Sequence, residues 1–359
     1  MAASSNTMRQ AILTVLAICI FISLIRYQVT PRSSHAADPY PQLARQISAK
    51  ELLARPISHD VEFMPKLLHQ SWSDYDLPPK FKGWSGTCRE KNSDWEWVLW
   101  TDEDNLALVE QYFPWFVETF KALPGPISRA DASRSMYMYI YGGVYADLDV
   151  ECLRPYDELF ALYNVTTVPY SSHRMGGANT ALSGRKAFFG RMGADPGHHE
   201  SIPNAWMAAT PGHPFHLLPL ESVQQSYKDG SAAGKGTEVL TGPGALMDCI
   251  INYRKQYEEG KLLEEHWKDH ATEKLFKPQR GKKHSVEVLP FWFIFPYSWA
   301  RDGEMYRDLC WVTEPRFNAT RCKLVLGTEY WPSYTITYWS HSWAAEGHDE
   351  NKMKSLVDD

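Results

Sequence analysis

The stretch Ile127-Ser128-Arg129-Ala130-Asp131-Ala132-Ser133-Arg134, running on to Tyr141-Gly142-Gly143-Val144-Tyr145-Ala146-Asp147-Leu148-Asp149, decides how this 359-residue chain folds. Pro126 suits the first turn of a helix, where its missing N–H costs nothing. Gly142 supplies the left-handed residue that commonly ends one. The spacing therefore predicts a helix from Pro126 to Tyr141. Within it Ser133, Met136, Tyr137, Ile140 and Tyr141 recur at helical spacing and are expected to face the core. Ile127, Asp131, Arg134 and Met138 form another stripe, so Asp131 and Arg134 project together. Val144-Tyr145-Ala146 then reads as a short strand that delivers Asp147 and Asp149 at its end. In open α/β sheets, ligands bind outside the carboxyl ends of the strands. If the backbone stays extended through Leu148, the two carboxylates point the same way. Carboxylates that converge make a hard-oxygen site for Mg²⁺ or Mn²⁺. Such a cation neutralises a diphosphate and assists its departure. Arg134 adds charge-assisted contacts, and Asp131 can accept from a ribose or sugar hydroxyl. A lone Asp-x-Asp is common in solvated turns; the helix, the Gly-Gly cap and the aromatic strand before it give this one its meaning.

The flanking sequence fits an α/β domain. Lys66-Leu67-Leu68-His69-Gln70 is a short apolar run expected to be a buried strand leading to Trp72, and Trp95 to Trp100 alternates like a second strand. Thr101 or Asp102 can cap a helix beginning near Glu103. Strand, helix and strand follow one another at α/β spacing. Val286 to Phe295 and Tyr334 to Trp339 read as later strands. There is no internal repeat.

Composition sets outer limits. Hydrophobic residues make up 44% and charged residues 22%, ordinary for a globular protein. The net charge of -6 argues against a nucleic-acid partner, since no basic surplus exists to neutralise phosphates. The one basic run, Arg280 to His284, is expected to be a solvated loop. Ala11 to Ile25 is apolar except for Thr14 and Ser23 and is flanked by Arg9 and Arg26. Its length lies between a signal-peptide core and a membrane span. The favoured expectation is a type II signal anchor, with a cleaved signal as the alternative. The domain plan is a cytosolic tail at 1–10, an anchor at 11–29 and a Pro-containing stem at 30–62. A catalytic domain follows at 63–345, then a polar tail at 346–359. The glycosylation sequons at Asn164 and Asn318 mildly favour a luminal domain. Cys310 and Cys322 close a short loop and could pair in an oxidising lumen; beyond the expected anchor, which holds Cys19, the cysteines Cys88, Cys152 and Cys249 remain, so at least one thiol there is expected unpaired.

The string Arg-Ala-Asp-x-x-Arg followed by Tyr-Gly-Gly-Val-Tyr-x-Asp-x-Asp resembles the sugar-binding region of family 32 glycosyltransferases. These include fungal outer-chain α-1,6-mannosyltransferases and inositol phosphorylceramide mannosyltransferases, and the arrangement is similar to that of the clostridial glucosylating toxins. Further likeness lies in Pro65 to Trp72, Trp100-Thr101-Asp102, Tyr112 to Phe116, Asn204 to Met207, Pro211 to Phe215, Leu240 to Pro243 and Ser340-His341-Ser342-Trp343. It spans roughly residues 63–345. The resemblance implies a GT-A fold, a nucleotide sugar, a divalent cation (Mn²⁺ or Mg²⁺) and retention of anomeric configuration. Carried over, Asp131, Arg134 and Tyr145 would hold the ribose and sugar. Asp147 and Asp149 would hold the metal and diphosphate, with Asp149 the direct ligand. Trp72 would lie beside the nucleobase and Asn204 would face a sugar. His341 would reach the metal or a phosphate, and Ser342 and Trp343 would close over the donor. His198-His199 lacks a carboxylate partner at suitable spacing and reads as loop. The segment from Ser171 to Glu200 departs from shorter family members and could shape the acceptor site.

The expected reaction moves a hexose, favoured as mannose from GDP-mannose, onto inositol phosphorylceramide or another glycolipid or glycan. No carboxylate marks itself as a nucleophile by position, so a front-face route is preferred on the resemblance. UDP-galactose or UDP-N-acetylglucosamine transfer is the alternative. A catalytically silent sugar-binding subunit is a different class, and a regulatory subunit is a candidate partner. The intact set of Asp131, Arg134, Asp147 and Asp149 argues against silence.

Overall fold

The computed structural model describes residues 42–58, 62–170, 184–195, 198, 200–258, 275–276 and 284–340. The expected anchor, the expected tail, His199, the stretch 171–183 and the 280–283 part of the basic run lie outside them. Among the described residues no helix is long and apolar enough to cross a membrane.

The first third of the chain alternates strand and helix: β1 (Arg45–Ser48), α1 (Ala49–Leu53), β2 (Met64–Pro65), β3 (Leu67–Ser71), α2 (Pro79–Lys91), β4 (Glu96–Trp100), α3 (Asp102–Tyr112) and α4 (Val117–Ala122). The middle contains α5 (Pro126–Ile140), β5 (Gly143–Ala146), β6 (Val150–Cys152), α6 (Tyr156–Leu162), β7 (Thr167–Val168), β8 (Lys186–Gly190) and β9 (Trp206–Ala209). The remainder contains α7 (Leu218–Lys228), α8 (Thr237–Leu240), α9 (Pro243–Glu258), β10 (Ser285–Leu289), α10 (Phe291–Ile294), α11 (Arg307–Cys310), α12 (Ala319–Leu326) and β11 (Thr335–Thr337).

Seven strands form one mixed sheet in the order β1-β4-β3-β5-β9-β8-β10. The first four are parallel, β9 runs antiparallel to both neighbours, and β10 is parallel to β8. Residues alternate strictly between the two faces, as a strand requires. Leu68, Trp97, Leu99, Val144, Phe188 and Trp206 enter the core under α2 and α6. Leu67, Val98, Trp100, Tyr145, Phe189 and Met207 enter the core under α3, α5, α7 and α9. The result is a mixed α/β fold with helices on both faces of a central sheet.

Three expectations change. The folded unit begins before residue 63, because Arg45–Ser48, expected in the stem, adds a parallel edge strand to β4. That strand is fastened by Arg45 and Arg55 to Glu96. The expected strand from Val286 to Phe295 stops at Leu289, since Pro290 cannot donate to a ladder and instead precedes the helical turn α10. Both stripes of α5 are buried except for the part-exposed Ile127, with Asp131 and Arg134 included, because the helix is packed between the sheet and its neighbours α3 and α7.

Other expectations hold. Thr101 caps α3 in a full capping box with Asp104. Gly142 ends α5 at φ +66, where a Cβ would stand 2.7 Å from the Ala209 carbonyl oxygen. Cys310 and Cys322 are joined, and a second disulfide, Cys88–Cys152, ties α2 to β6. Cys249 is a buried thiol that burial pushes up to about 12.

Candidate active site

β5 ends at Ala146, and the chain turns at once rather than staying extended through Leu148. The Val150 N–H donates to the Asp147 carbonyl oxygen at 3.1 Å, closing a tight turn over residues 147–150. Asp147 and Asp149 are therefore presented by a turn. The turn is fixed from outside: the Asp147 N–H donates to the Ala205 carbonyl at 2.8 Å and Gln70 Nε2 donates to the Asp147 carbonyl at 3.3 Å. Gln70 is itself held, because its Oε1 accepts from Ser85 at 2.6 Å and from the Trp97 indole at 2.8 Å.

Arg134 rises from α5 into the space beside that turn. Its Nη2 lies 3.0 Å from Asp147 Oδ1, and its Nη1 lies 3.2 Å from Asp131 Oδ1. Nη1 also donates to the Asn204 carbonyl at 3.1 Å, and the guanidinium lies over the Tyr145 ring at 4.9 Å. The guanidinium expected to meet a diphosphate is thus engaged with two carboxylates of its own chain. Burial opposes its charge, but the carboxylates of Asp147 and Asp131 more than offset this, so it stays protonated. Asp131 is buried and also accepts from Asn204 Nδ2 at 2.9 Å and Thr241 Oγ1 at 3.1 Å. Asn204, expected to face a sugar, has its amide turned to Asp131 and orients it. Burial raises the Asp131 carboxyl, with Arg134 pulling it back down.

Asp149 is fixed from the far end of the chain. β11 pairs antiparallel with β6, so Thr337 lies opposite Val150. Three residues on, Ser340 donates to Asp149 Oδ2 from its N–H at 3.1 Å and from its hydroxyl at 2.8 Å. Trp339, just before it, takes a left-handed φ of +54, uncommon for a bulky residue and a mark of a constrained backbone.

The donor set fits a divalent cation. Asp147 Oδ1 takes the bonds from Arg134 and from the Tyr145 hydroxyl at 2.6 Å, while Asp149 Oδ2 takes both bonds from Ser340. Asp147 Oδ2 and Asp149 Oδ1 receive no hydrogen bond among the described residues. Burial is the main cause that pushes the Asp147 carboxyl up to about 7; the Arg134 charge opposes it, and the Asp149 charge adds to it. A cation placed against the Asp147 carboxylate would offset both its burial and the charge of Asp149. Among the described residues no group of three His, Cys, Asp or Glu side chains could hold a metal alone; His341, the third expected ligand, lies outside them, and substrate and water can supply further ligands.

These residues line a cleft of about 640 Å³ at the carboxyl ends of β3, β4 and β5. Trp72, Asp131, Arg134, Tyr145, Asp147, Asp149 and Asn204 all line it. The Trp72 ring is braced edge-on by Phe81 at 5.0 Å. His341, Ser342 and Trp343 lie outside the described residues. Among the described residues six carboxylates line the cleft, those of Asp102, Asp131, Asp147, Asp149, Glu200 and Glu238, against the single guanidinium of Arg134. Ser340, Thr241, Trp339 and Trp299 were not singled out from sequence as site residues; Thr241 and Ser340 lay inside the quoted motifs, but their spacing says nothing of a partner so far away.

Residues 78–166 match the family model described as a glycosyltransferase sugar-binding region containing a DXD motif, and the chain carries that region. Mannosyl phosphorylinositol ceramide synthase SUR1 of Saccharomyces cerevisiae is 39% identical over 228 residues, covering 64% of this chain and 50% of that protein. Inositol phosphoceramide mannosyltransferase 1 of Schizosaccharomyces pombe is 31% identical over 159 residues, covering 44% of this chain and 41% of that protein. The initiation-specific alpha-1,6-mannosyltransferase of Saccharomyces cerevisiae is 30% identical over 105 residues, covering 26% of this chain and 21% of that protein. The chain spans half or less of the length of these relatives. Among solved structures, the PaToxG glycosyltransferase shares 15% identity at a TM-score of 0.37, covering 63% of this chain and 84% of that one, too distant to carry an argument.

Proposed function

We propose that this chain is a divalent-cation-dependent glycosyltransferase of GT-A type. It transfers mannose from GDP-mannose, with retention, to a hydroxyl of inositol phosphoceramide or a related glycolipid or glycan. One observation carries the reading: among the described residues six carboxylates face one guanidinium that is already engaged, around a turn whose two aspartates each leave an oxygen uncommitted. An anionic diphosphate meets repulsion in such a cleft unless a cation accompanies it. The similarity to proteins named as mannosyltransferases supports the sugar, and the names inositol phosphoceramide mannosyltransferase and mannosyl phosphorylinositol ceramide synthase support the acceptor. The apolar stretch from Ala11 to Ile25 supports a Golgi or ER location on a type II anchor.

Each residue has a task in this scheme. Asp147 and Asp149 would hold Mn²⁺ or Mg²⁺. When bound, the cation neutralises the diphosphate and eases its departure. Tyr145 and Arg134 fix Asp147, and Ser340 fixes Asp149, so the turn needs little reorganisation as charge develops on the leaving group. Asp131, held by Asn204 and Thr241, offers remaining lone pairs to a hydroxyl of the donor sugar. Trp72 offers an aromatic face to the base. The test is donor hydrolysis and transfer by the purified protein with and without Mn²⁺, using GDP- and UDP-sugars with lipid and glycan acceptors. Turnover of GDP-mannose that disappears on chelation and in Asp149→Ala supports the proposal. Turnover that ignores both would sink it, and a preference for a UDP-sugar would overturn the donor.

A further inference from the structure

The cleft extends beyond what the network around Asp147 occupies. It runs from Trp72 beside β3, past Asp147 after β5, to Pro203 before β9 and Trp299 beyond β10. The order of strands across the sheet is therefore also an order of subsites. Trp72 follows β3 on one side of the two-aspartate turn and Pro203 precedes β9 on the other; Glu200 and Trp299 line the same cleft.

Trp299 is carried by a tightly made turn. Ser298 Oγ donates to Asp302 Oδ1 at 2.7 Å, and the Ala300 N–H donates to Ser298 Oγ at 3.2 Å. The Gly303 N–H donates to the Ala300 carbonyl at 3.0 Å. A Cβ on Gly303 would stand 1.7 Å from the Ser298 carbonyl oxygen, so the turn closes only on glycine. The other oxygen of Asp302 accepts the Ala194 N–H at 2.7 Å, pinning the turn to the chain that leaves β8. Arg307 donates to the Trp299 carbonyl at 3.1 Å, and the His198 ring packs edge-on against the indole at 5.6 Å. That packing places His198 beside Trp299, and Glu200, two residues further on in sequence, lines the same cleft.

A half-buried indole fixed in this way presents a preformed flat apolar face, which costs little ordering on binding. The carboxylate of Glu200, which lines the same cleft, accepts hydrogen bonds. An apolar face and an acceptor lining one cleft suit a polyhydroxylated ring, whose C–H face stacks on the indole while its hydroxyls donate to the carboxylate. The surrounding carboxylates repel an anion, so the ring that enters is uncharged and any phosphoryl group attached to it stays outside the described cleft.

We propose that Trp299 and Glu200 form the acceptor subsite and receive the uncharged ring of a hexose or cyclic polyol. This rests on the donor reading given above. The test is saturation-transfer NMR on the whole protein with GDP and diamagnetic Mg²⁺, using methyl α-mannopyranoside and myo-inositol as separate probes. One probe should bind, which tells hexose from polyol. Trp299→Ala and Glu200→Gln should each weaken it by about tenfold or more, Trp299→Phe should restore part of the loss, and GDP affinity should stay within about twofold. Probe binding that is absent from a GDP-loaded protein, or unchanged in both variants, overturns the assignment. So does an equal loss of GDP affinity in Trp299→Ala, which would place the indole in the donor site. A protein that binds neither GDP nor UDP with Mn²⁺ removes the donor reading, and this assignment with it.

Discussion

Ser340 grips a single carboxylate oxygen of Asp149 with both its N–H and its hydroxyl, at 3.1 and 2.8 Å, across 191 residues of sequence. The hydroxyl can be removed without touching the backbone bond. Ser340→Ala should therefore keep the fold but lower activity or Mn²⁺ affinity roughly 10–100-fold, as loss of a partner behind a metal ligand typically does. Mn²⁺ titration of activity, with a melting curve as control, checks this; unchanged Mn²⁺ dependence would remove Ser340 from the site.

Arg134 balances two carboxylates in a nearly dry setting, its side chain only 7% exposed. Arg134→Ala leaves Asp131 and Asp147 facing each other without a counter-charge. Breaking such a buried pair costs about 3–5 kcal/mol. Chemical denaturation should show a loss of that order, and combining Arg134→Met with Asp131→Asn and Asp147→Asn should recover most of the stability while activity stays lost. A small loss in the single variant would mean that water reaches the triad.

The Cys88–Cys152 disulfide closes a loop with a sequence separation of 64 and anchors β6, the strand that begins directly after Asp149. Removing a native disulfide of this kind costs about 2–5 kcal/mol. Cys88→Ser with Cys152→Ser should lower the melting temperature and also weaken Mn²⁺-dependent turnover, because the turn loses a fixed neighbour. Melting with and without reductant, compared between wild type and variant, checks the first effect.

His69 is fully buried, donating from Nε2 to the Gly142 carbonyl at 3.0 Å and accepting at Nδ1 from the Trp100 indole at 3.1 Å. Burial holds its imidazole down at about 4, against the weaker opposing pull of the Gly142 carbonyl. An unfolded histidine titrates near 6.5, so between these values the unfolded chain binds more protons than the folded one. The stability contributed here is complete above pH about 6.5 and falls as pH drops toward 4, by up to about 3 kcal/mol. His213 and His216 are also buried and held low, so wild type and variant share their contribution. Urea denaturation at pH 7 and pH 5 should show a shallower acid loss in His69→Gln than in wild type; equal slopes would exclude His69 as a source.

What could be seen in the sequence was local. Leu67–Ser71, Glu96–Trp100, the Thr101 cap and the Gly142 stop each carry their signal within a few residues. The string from Asp131 to Asp149 placed the carboxylates together because one helix and one strand join them. β8 and β9 were not visible, since Lys186–Gly190 and Trp206–Ala209 are short runs buried on both faces that show no alternation. The turn at Asp147 was missed because an Ala205 carbonyl, far along the chain, sets its shape. Burial of Arg134 was missed for a related reason: charges on a helix are ordinarily solvated, and only the packed helix pair around α5 makes this one internal. The edge strand at Arg45–Ser48 was hidden among prolines that read as linker.

The pairing of β11 with β6 sets an order of events during synthesis. Domains emerge from the ribosome N-terminus first. The aspartates at 147 and 149 are made early, yet the strand that covers β6 and the serine that fixes Asp149 come almost two hundred residues later. A nascent chain can hold the whole DXD region and still lack a set Asp149. The site is therefore completed only when Ser340 has been added and has docked, so a chain halted short of that point carries the motif without its assembled geometry.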